Sequence, residues 1–173
     1  MRVTFDREGD WDKMAYRLSR LGYDIDFASG KTQKALATKL RQIVVGHLKK
    51  QDIPGWDRLS RAYKKRKVKE GYDPRMLIRT QEYLDSIETF KSGKNWVAGV
   101  KRGRKYENGN EIADIGIIHE VWSTISGKPF RPLWVPSINE LVQTKTATNI
   151  IIKSMVSELR ARGHQVYYSR FKI

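Results

Sequence analysis

The apolar residues of this chain keep a helical rhythm at its two ends and lose it in the middle. Trp11, Met14, Ala15, Leu18 and Leu21 recur every three or four positions, the spacing of one helix face. Asp10 is placed to cap that helix, Asp12 favours its first turn, and Gly22 is a stop signal. A second helix, capped by Ser29 or Thr32, carries Leu36, Leu40, Ile43, Val44 and Leu48 on one stripe. Its Lys34, Lys39, Arg41, Lys49 and Lys50 face elsewhere, and Pro54-Gly55 ends it. Each helix has an inside and an outside, so each is expected to pack on something.

Residues 51–79 read as a loop, a short basic helix and a second loop, with Trp56, Leu59 and Tyr63 as apolar anchors. Tyr63 is assigned to the apolar side of its helix with Leu59. One or two helical turns follow over 80–87, with Leu84 and Ile87 inward. The period then changes. Ser86-Ile87-Glu88-Thr89-Phe90 and Trp96-Val97-Ala98-Gly99-Val100 are strand-like, and Ser92-Gly93-Lys94-Asn95 between them is turn chemistry, which predicts a β-hairpin. A loop tip is expected near Arg102-Gly103-Arg104 and Asn108-Gly109-Asn110, then a short helix over 112–122 with Ile115, Ile118 and Trp122 on one side. Residues 123–129 form a loop, and Pro129-Phe130-Arg131-Pro132-Leu133-Trp134 is extended because each proline biases its predecessor away from helix.

Pro136 suits the first turn of a long C-terminal helix. Leu141, Val142, Ile152, Met155, Val156 and Leu159 track that helix, Thr144, Thr146 and Thr148 weaken its middle, and Gly163 ends it. Val3-Thr4-Phe5 and Val166-Tyr167-Tyr168-Ser169-Arg170-Phe171 are strand candidates. The expected class is α+β in one domain, 1–173: N-terminal helices, a small antiparallel sheet with a hairpin, a long C-terminal helix and a final strand. No internal repeat is visible.

Several kinds of chemistry lack their residues. The chain has no cysteine, which removes disulfides, thiolate metal sites and cysteine nucleophiles. Its three histidines, His47, His119 and His164, stand at no metal-binding spacing, and no nucleophile elbow or Walker-type loop occurs. Gly99 and Gly103 are read as turn residues rather than a phosphate cradle. A metal-dependent nuclease would draw on Asp85, Glu88 and Lys91, but positions 88 and 91 fall on opposite faces of a strand. No cofactor, metal site or catalytic residue is assigned. No apolar run approaches the roughly 20 residues that span a bilayer, and the N-terminus lacks a signal-peptide core. The expectation is a soluble protein made inside the cell, without a membrane partner.

Charge is the most pronounced compositional feature, with a formal net charge of +15. Two stretches are basic without an acid. Positions 61–69 contain Arg61, Lys64, Lys65, Arg66, Lys67 and Lys69, and positions 91–105 end in Lys101, Arg102, Arg104 and Lys105. Such a field attracts polyanions or acidic protein faces, and it also serves as a merely solvated surface. Lys64, Lys65, Arg66, Lys67 and Lys69 are the candidate polyanion-facing group. Tyr63 beside them adds the aromatic element of single-strand binders.

The order of elements from Trp56 to Leu141 resembles the phage virion-morphogenesis, or tail-completion, family. A tryptophan and a Leu-Ser step stand ahead of a lysine-rich stretch: Trp56-Asp57-Arg58-Leu59-Ser60, then Tyr63-Lys64-Lys65-Arg66-Lys67. Leu77-Ile78-Arg79-Thr80-Gln81 leads to Leu84-Asp85-Ser86-Ile87, and the hairpin follows. Ile118-His119-Glu120 and Pro129-Phe130-Arg131-Pro132-Leu133-Trp134 complete the series. Where the family usually has glycine after Arg-Thr, this chain has Gln81. Where a glycine usually follows the His-Glu step, it has Val121-Trp122. The resemblance covers about half the chain and leaves the first 50 residues and the final strand outside it.

The resemblance implies a non-enzymatic virion protein at the neck of a tailed bacteriophage, assembled in the host cytoplasm. It implies a homo-oligomeric ring, typically of six copies, that completes the tail and joins it to the head connector. The implied partners are connector or adaptor proteins and tail tube or tail terminator proteins, with transient contact to phage DNA. A ring subunit needs two different complementary faces, because heterologous contacts close a cycle. Lys101, Arg102, Arg104, Lys105 and Arg131 are the candidate docking residues, Arg131 also being suited to a partner within its own fold. The alternative reading is a basic DNA-binding or DNA-packaging accessory protein.

Overall fold

The first helix does not stop where its glycine suggests. In the computed structural model, which describes residues 10–121 and 131–166, helix α1 (Trp11–Lys50) runs unbroken for 40 residues, about 60 Å. Asp10 caps it by accepting the Lys13 N–H at 3.0 Å. Gly22 stays helical, at a cost of about 1 kcal/mol against alanine that the flanking helix absorbs. Thr32, a candidate cap, instead donates its hydroxyl to the Ala28 carbonyl at 2.8 Å, one turn back inside the same helix. The two predicted helices are therefore one. It ends at Gln51, whose φ of 59° closes the helix before Pro54 is reached. The Gln51 amide nitrogen donates to the Leu48 and Met76 carbonyls, and its oxygen accepts the Met76 N–H at 2.7 Å.

Everything else is arranged along this shaft, and the result is α+β. Helix α2 (Arg61–Lys69) is capped by Ser60, whose hydroxyl accepts the Tyr63 N–H. Short α3 (Glu82–Ser86) leads directly into β1 (Ile87–Ser92), which pairs antiparallel with β2 (Asn95–Val100) from Ile87↔Val100 to Ser92↔Asn95. Gly93 takes φ +60° at the first turn position while Lys94 stays negative, the pattern of a type II′ two-residue turn. The hairpin lies on the middle of α1. Arg41 donates to the Ile87 carbonyl at 2.8 Å, and Gln33 accepts the Trp96 N–H. Helix α4 (Ile112–Val121) follows.

The expected long C-terminal helix is two: α5 (Trp134–Gln143) and α6 (Thr146–Ala161). Between them the Thr144 hydroxyl donates to the Glu140 carbonyl and Lys145 adopts φ 56°, so the chain turns. The turn has a packing reason. α5 meets the C-terminal end of α1, where His47 Nε2 lies 3.0 Å from Glu140. α6 returns antiparallel along α1, as the Lys31–Glu158 and Asp24–Arg162 ion pairs record. The candidate strand 3–5 and the 123–129 loop lie outside the described residues, as do positions 167–171 of the final strand. Val166 is irregular.

One core joins these pieces. Val44 and Leu48 of α1 are fully buried against Ile53, Trp56, Ile78, Tyr83, Leu84, Ile87, Ile112 and Leu133. Tyr83 stands at its rim, where burial pushes the phenol up to about 12. α4 lies so close that a Cβ on Gly116 would come within 3.0 Å of the Tyr83 hydroxyl oxygen. Nearby, the loop before α3 is locked by Arg75. Its guanidinium grips both oxygens of Asp73 and holds that carboxyl down to about 2.

Two expectations follow. Gly116→Val should lower stability by about 1–3 kcal/mol through overpacking against Tyr83, read from the urea midpoint. The depressed Asp73 pKa contributes stability above about pH 4, and that contribution is lost as pH falls toward 2. Because Arg75 is partly exposed, the amount is about 1–2 kcal/mol. Asp73→Asn should flatten the stability–pH curve between pH 4 and 2 while lowering stability at pH 7.

Candidate assembly surface

The short motifs that are scattered in the sequence meet in one place. The Trp56 indole N–H donates to the Pro132 carbonyl at 2.8 Å. Arg131 Nε and Nη2 both donate to the Asp57 carbonyl, at 3.0 and 2.8 Å, and the Arg131 N–H reaches the His119 carbonyl. Glu120 accepts three backbone N–H groups at the start of α5: Leu133 at 2.7, Trp134 at 3.0 and Val135 at 2.8 Å. Helix N-termini leave such donors unmatched and carry partial positive charge, so a carboxylate there satisfies both demands. The Trp-Asp, His-Glu and Arg-Pro steps are thus the two ends and the middle of one clasp.

Arg131 is inside that clasp. Only 6% of it is exposed, and its donors go to a carbonyl of its own chain. Of the two roles expected for it, the structure places it in the internal one, and it is not available as a docking cation.

Lys67 requires the same correction. It stands in the basic run of α2 but is 4% exposed, and its ammonium donates to the Arg75 carbonyl at 2.7 Å and the Ile78 carbonyl at 2.6 Å. Burial pulls its pKa down from the usual lysine range. The helix turns position 67 toward the 71–80 loop while Lys64, Lys65, Arg66 and Lys69 remain exposed. Tyr63 also departs from expectation. It is 38% exposed and lies 4.9 Å from the Arg66 guanidinium, centroid to carbon, rather than in the core. With Val68 exposed beside it, α2 presents a basic surface with an aromatic and an aliphatic element.

The second basic region is tied down. Lys101 Nζ and Arg104 Nη2 lie 3.6 and 3.3 Å from the same Glu88 oxygen, and Arg102 Nη1 lies 3.9 Å from Asp114. Glu111 accepts the Gly103 N–H at 2.7 Å, a bridge pairs Lys105 with Glu111, and Ile112 donates to the Arg104 carbonyl. Gly103 and Gly109 take φ of 88° and 82°, which the turns require. The side chains of 101–105 all remain exposed. Glu88, a nuclease candidate, is thereby committed to two cations. Among the described residues no three His, Asp or Glu side chains group to hold a metal ion.

Two residues were named in the sequence without their structural roles. Glu120 precedes the helix it caps by 14 residues, and nothing local marks it. Gln81 takes φ 68°, the region in which glycine is least strained. No helix among the described residues is long and apolar enough to cross a membrane. No family model, curated protein or solved structure matches the chain.

Lys67→Met should lower stability by about 2–4 kcal/mol, because two buried carbonyls lose their donor. Lys65→Met, on the exposed side of the same helix, should stay within about 0.5 kcal/mol. Chemical denaturation of the two variants checks both.

Proposed function

We propose that this chain is a structural virion protein of a tailed bacteriophage, acting at the neck. It forms a ring, of six copies in the simplest case, that completes the tail and joins it to the head connector. It works by complementary surfaces and closure rather than by catalysis. What supports the reading most is the convergence of Trp56, Glu120, Arg131 and Pro132 in one clasp. These are residues on which the tail-completion resemblance rests, and the fold gives them a joint task. The exposed cations that remain after Lys67 and Arg131 are set aside are suited to docking on acidic faces of connector and tail proteins.

One observation favours the alternative, a DNA-binding or DNA-packaging accessory protein. Tyr63 is exposed and stacks with Arg66 next to Lys64 and Lys65, the pairing of aromatic and cation that single strands use.

The deciding measurement is the stoichiometry of the chain in purified virions by quantitative mass spectrometry. Six or twelve copies per particle are expected of a neck ring, and absence from mature particles would overturn that assignment. A DNA titration at several salt concentrations tests the alternative, which requires a steep log–log slope. Neutralising Lys101, Arg102, Arg104 and Lys105 together should shift the unfolding free energy by about 1 kcal/mol or less, since their ion pairs are exposed. It should sharply reduce the yield of joined particles, and normal yield would remove the docking role of this loop.

A further inference from the structure

The exposed side of α2 and the groove beside it share Lys64 and form one surface that the fold leaves unmatched. Arg61, Lys64, Lys65 and Val68 stand at steps of three, one and three, so they lie on one side of the helix and line a shallow depression there. Val68 is 58% exposed. Lys64 also borders a groove of about 330 Å³ between the start of α2 and the 74–76 segment. Leu59, Pro74 and Met76 give that groove its apolar lining, and Arg58 and Lys64 are its exposed cations. Its other polar side chains are already engaged. Gln51 holds Leu48 and Met76, and Arg75 holds Asp73. Among the described residues the one carboxylate ion-paired with an α2 cation is Glu70, 3.8 Å from Arg66. Arg58, Arg61, Lys64 and Lys65 have no such partner there.

We infer that this surface receives an acidic protein segment. Its carboxylates meet Arg58, Arg61, Lys64 and Lys65, and one of its aliphatic side chains seats on Leu59, Pro74 and Met76. Charge selects the sign of the partner. Four neighbouring cations without a carboxylate of their own repel one another, and an acidic segment relieves that repulsion. The groove selects the class of the partner. An apolar pocket bordered by charge is the form of a side-chain anchor site with a polar rim. A nucleic-acid strand instead needs successive aromatic platforms for its bases. Among the described residues that line the groove and the depression none is aromatic. Neighbouring Tyr63 is a single platform, and the Arg66 guanidinium already lies 4.9 Å from its ring centroid. The inference deepens the assembly reading, on which it rests, by naming the chemistry of the partner and where it docks.

Fluorescence anisotropy of the full-length protein with labelled peptides tests this. The first peptide is a run of glutamates around one central leucine, and the second has serine in place of the leucine. The leucine peptide should bind about tenfold more tightly, the factor that burying one aliphatic side chain supplies. Leu59→Ser should remove that preference and leave affinity for the serine peptide within about twofold. Arg58→Gln combined with Lys64→Gln should weaken both peptides by about tenfold. Both positions are exposed, so this variant keeps the fold. Arg17→Gln combined with Arg20→Gln removes the same charge near the other end of α1 and should change affinity by less than about twofold. Equal binding of the two peptides would overturn the proposal. Equal loss from the two double variants would also overturn it, because net charge alone would then be the attraction. A thymidylate oligonucleotide of equal length bound more tightly than the leucine peptide would overturn it as well and assign the face to single strands. The two readings fail separately. A ring stoichiometry in virions beside a failed peptide test removes this site and keeps the ring, and peptide binding by a chain absent from virions keeps the site and removes the ring.

Discussion

The burial of one face of α1 is the constraint on which the remaining structure depends. A helix of 40 residues cannot supply its own stability in water, because helical propensity is marginal and most of the gain comes from covering apolar surface. In the C-terminal half of α1, Val44 and Leu48 are covered by the loop after the helix, by α3 and β1, and by Leu133 ahead of α5. In its middle α1 is covered by the hairpin and by α6. Each later element is short and could not stand alone. A two-stranded hairpin in particular needs a packed surface to persist, and α1 provides it.

Carbonyl groups in loops are satisfied by two long cationic side chains. Lys67 serves the carbonyls of the 71–80 loop, and Arg131 serves Asp57. A buried carbonyl without a donor is costly, and so is a buried charge without acceptors, so each need meets the other. The consequence for function is a sorting of the charge. Of the cations singled out in the sequence, Lys67 and Arg131 are structural ties. The remainder, on α2 and on the 101–105 loop, lie on the surface, where they can meet partners.

This sorting bears on what the proposed assembly role would ask of the molecule. A ring subunit must hold its surfaces in fixed relation while its loops meet different neighbours. The clasp of Trp56, Glu120, Arg131 and Pro132 fixes the segment ahead of α5 against the loop ahead of α2. The loop at 101–105 is held by Glu88 and Glu111 yet keeps its cations outside. Preorganised charge of this kind favours specific docking over diffuse attraction.

The α+β class, the hairpin with its turn, the short basic helix and the inward face of Leu84 and Ile87 were legible in the sequence, because periodicity and turn residues act over a few positions. The continuity of α1 through Gly22 was not, since a glycine ends a helix only when its neighbours have something better to do. The break at Lys145 was not either, because it answers to the need for α6 to turn back along α1. Residue type and pattern marked Lys67 as polyanion-facing and Tyr63 as core, and the fold reversed both by burying the first and exposing the second, while for Arg131 it decided between two expected roles. Glu120 shows the limit most clearly: the three N–H groups it satisfies lie 13 to 15 residues away. Such a pairing exists only once α4 and α5 are brought together in space.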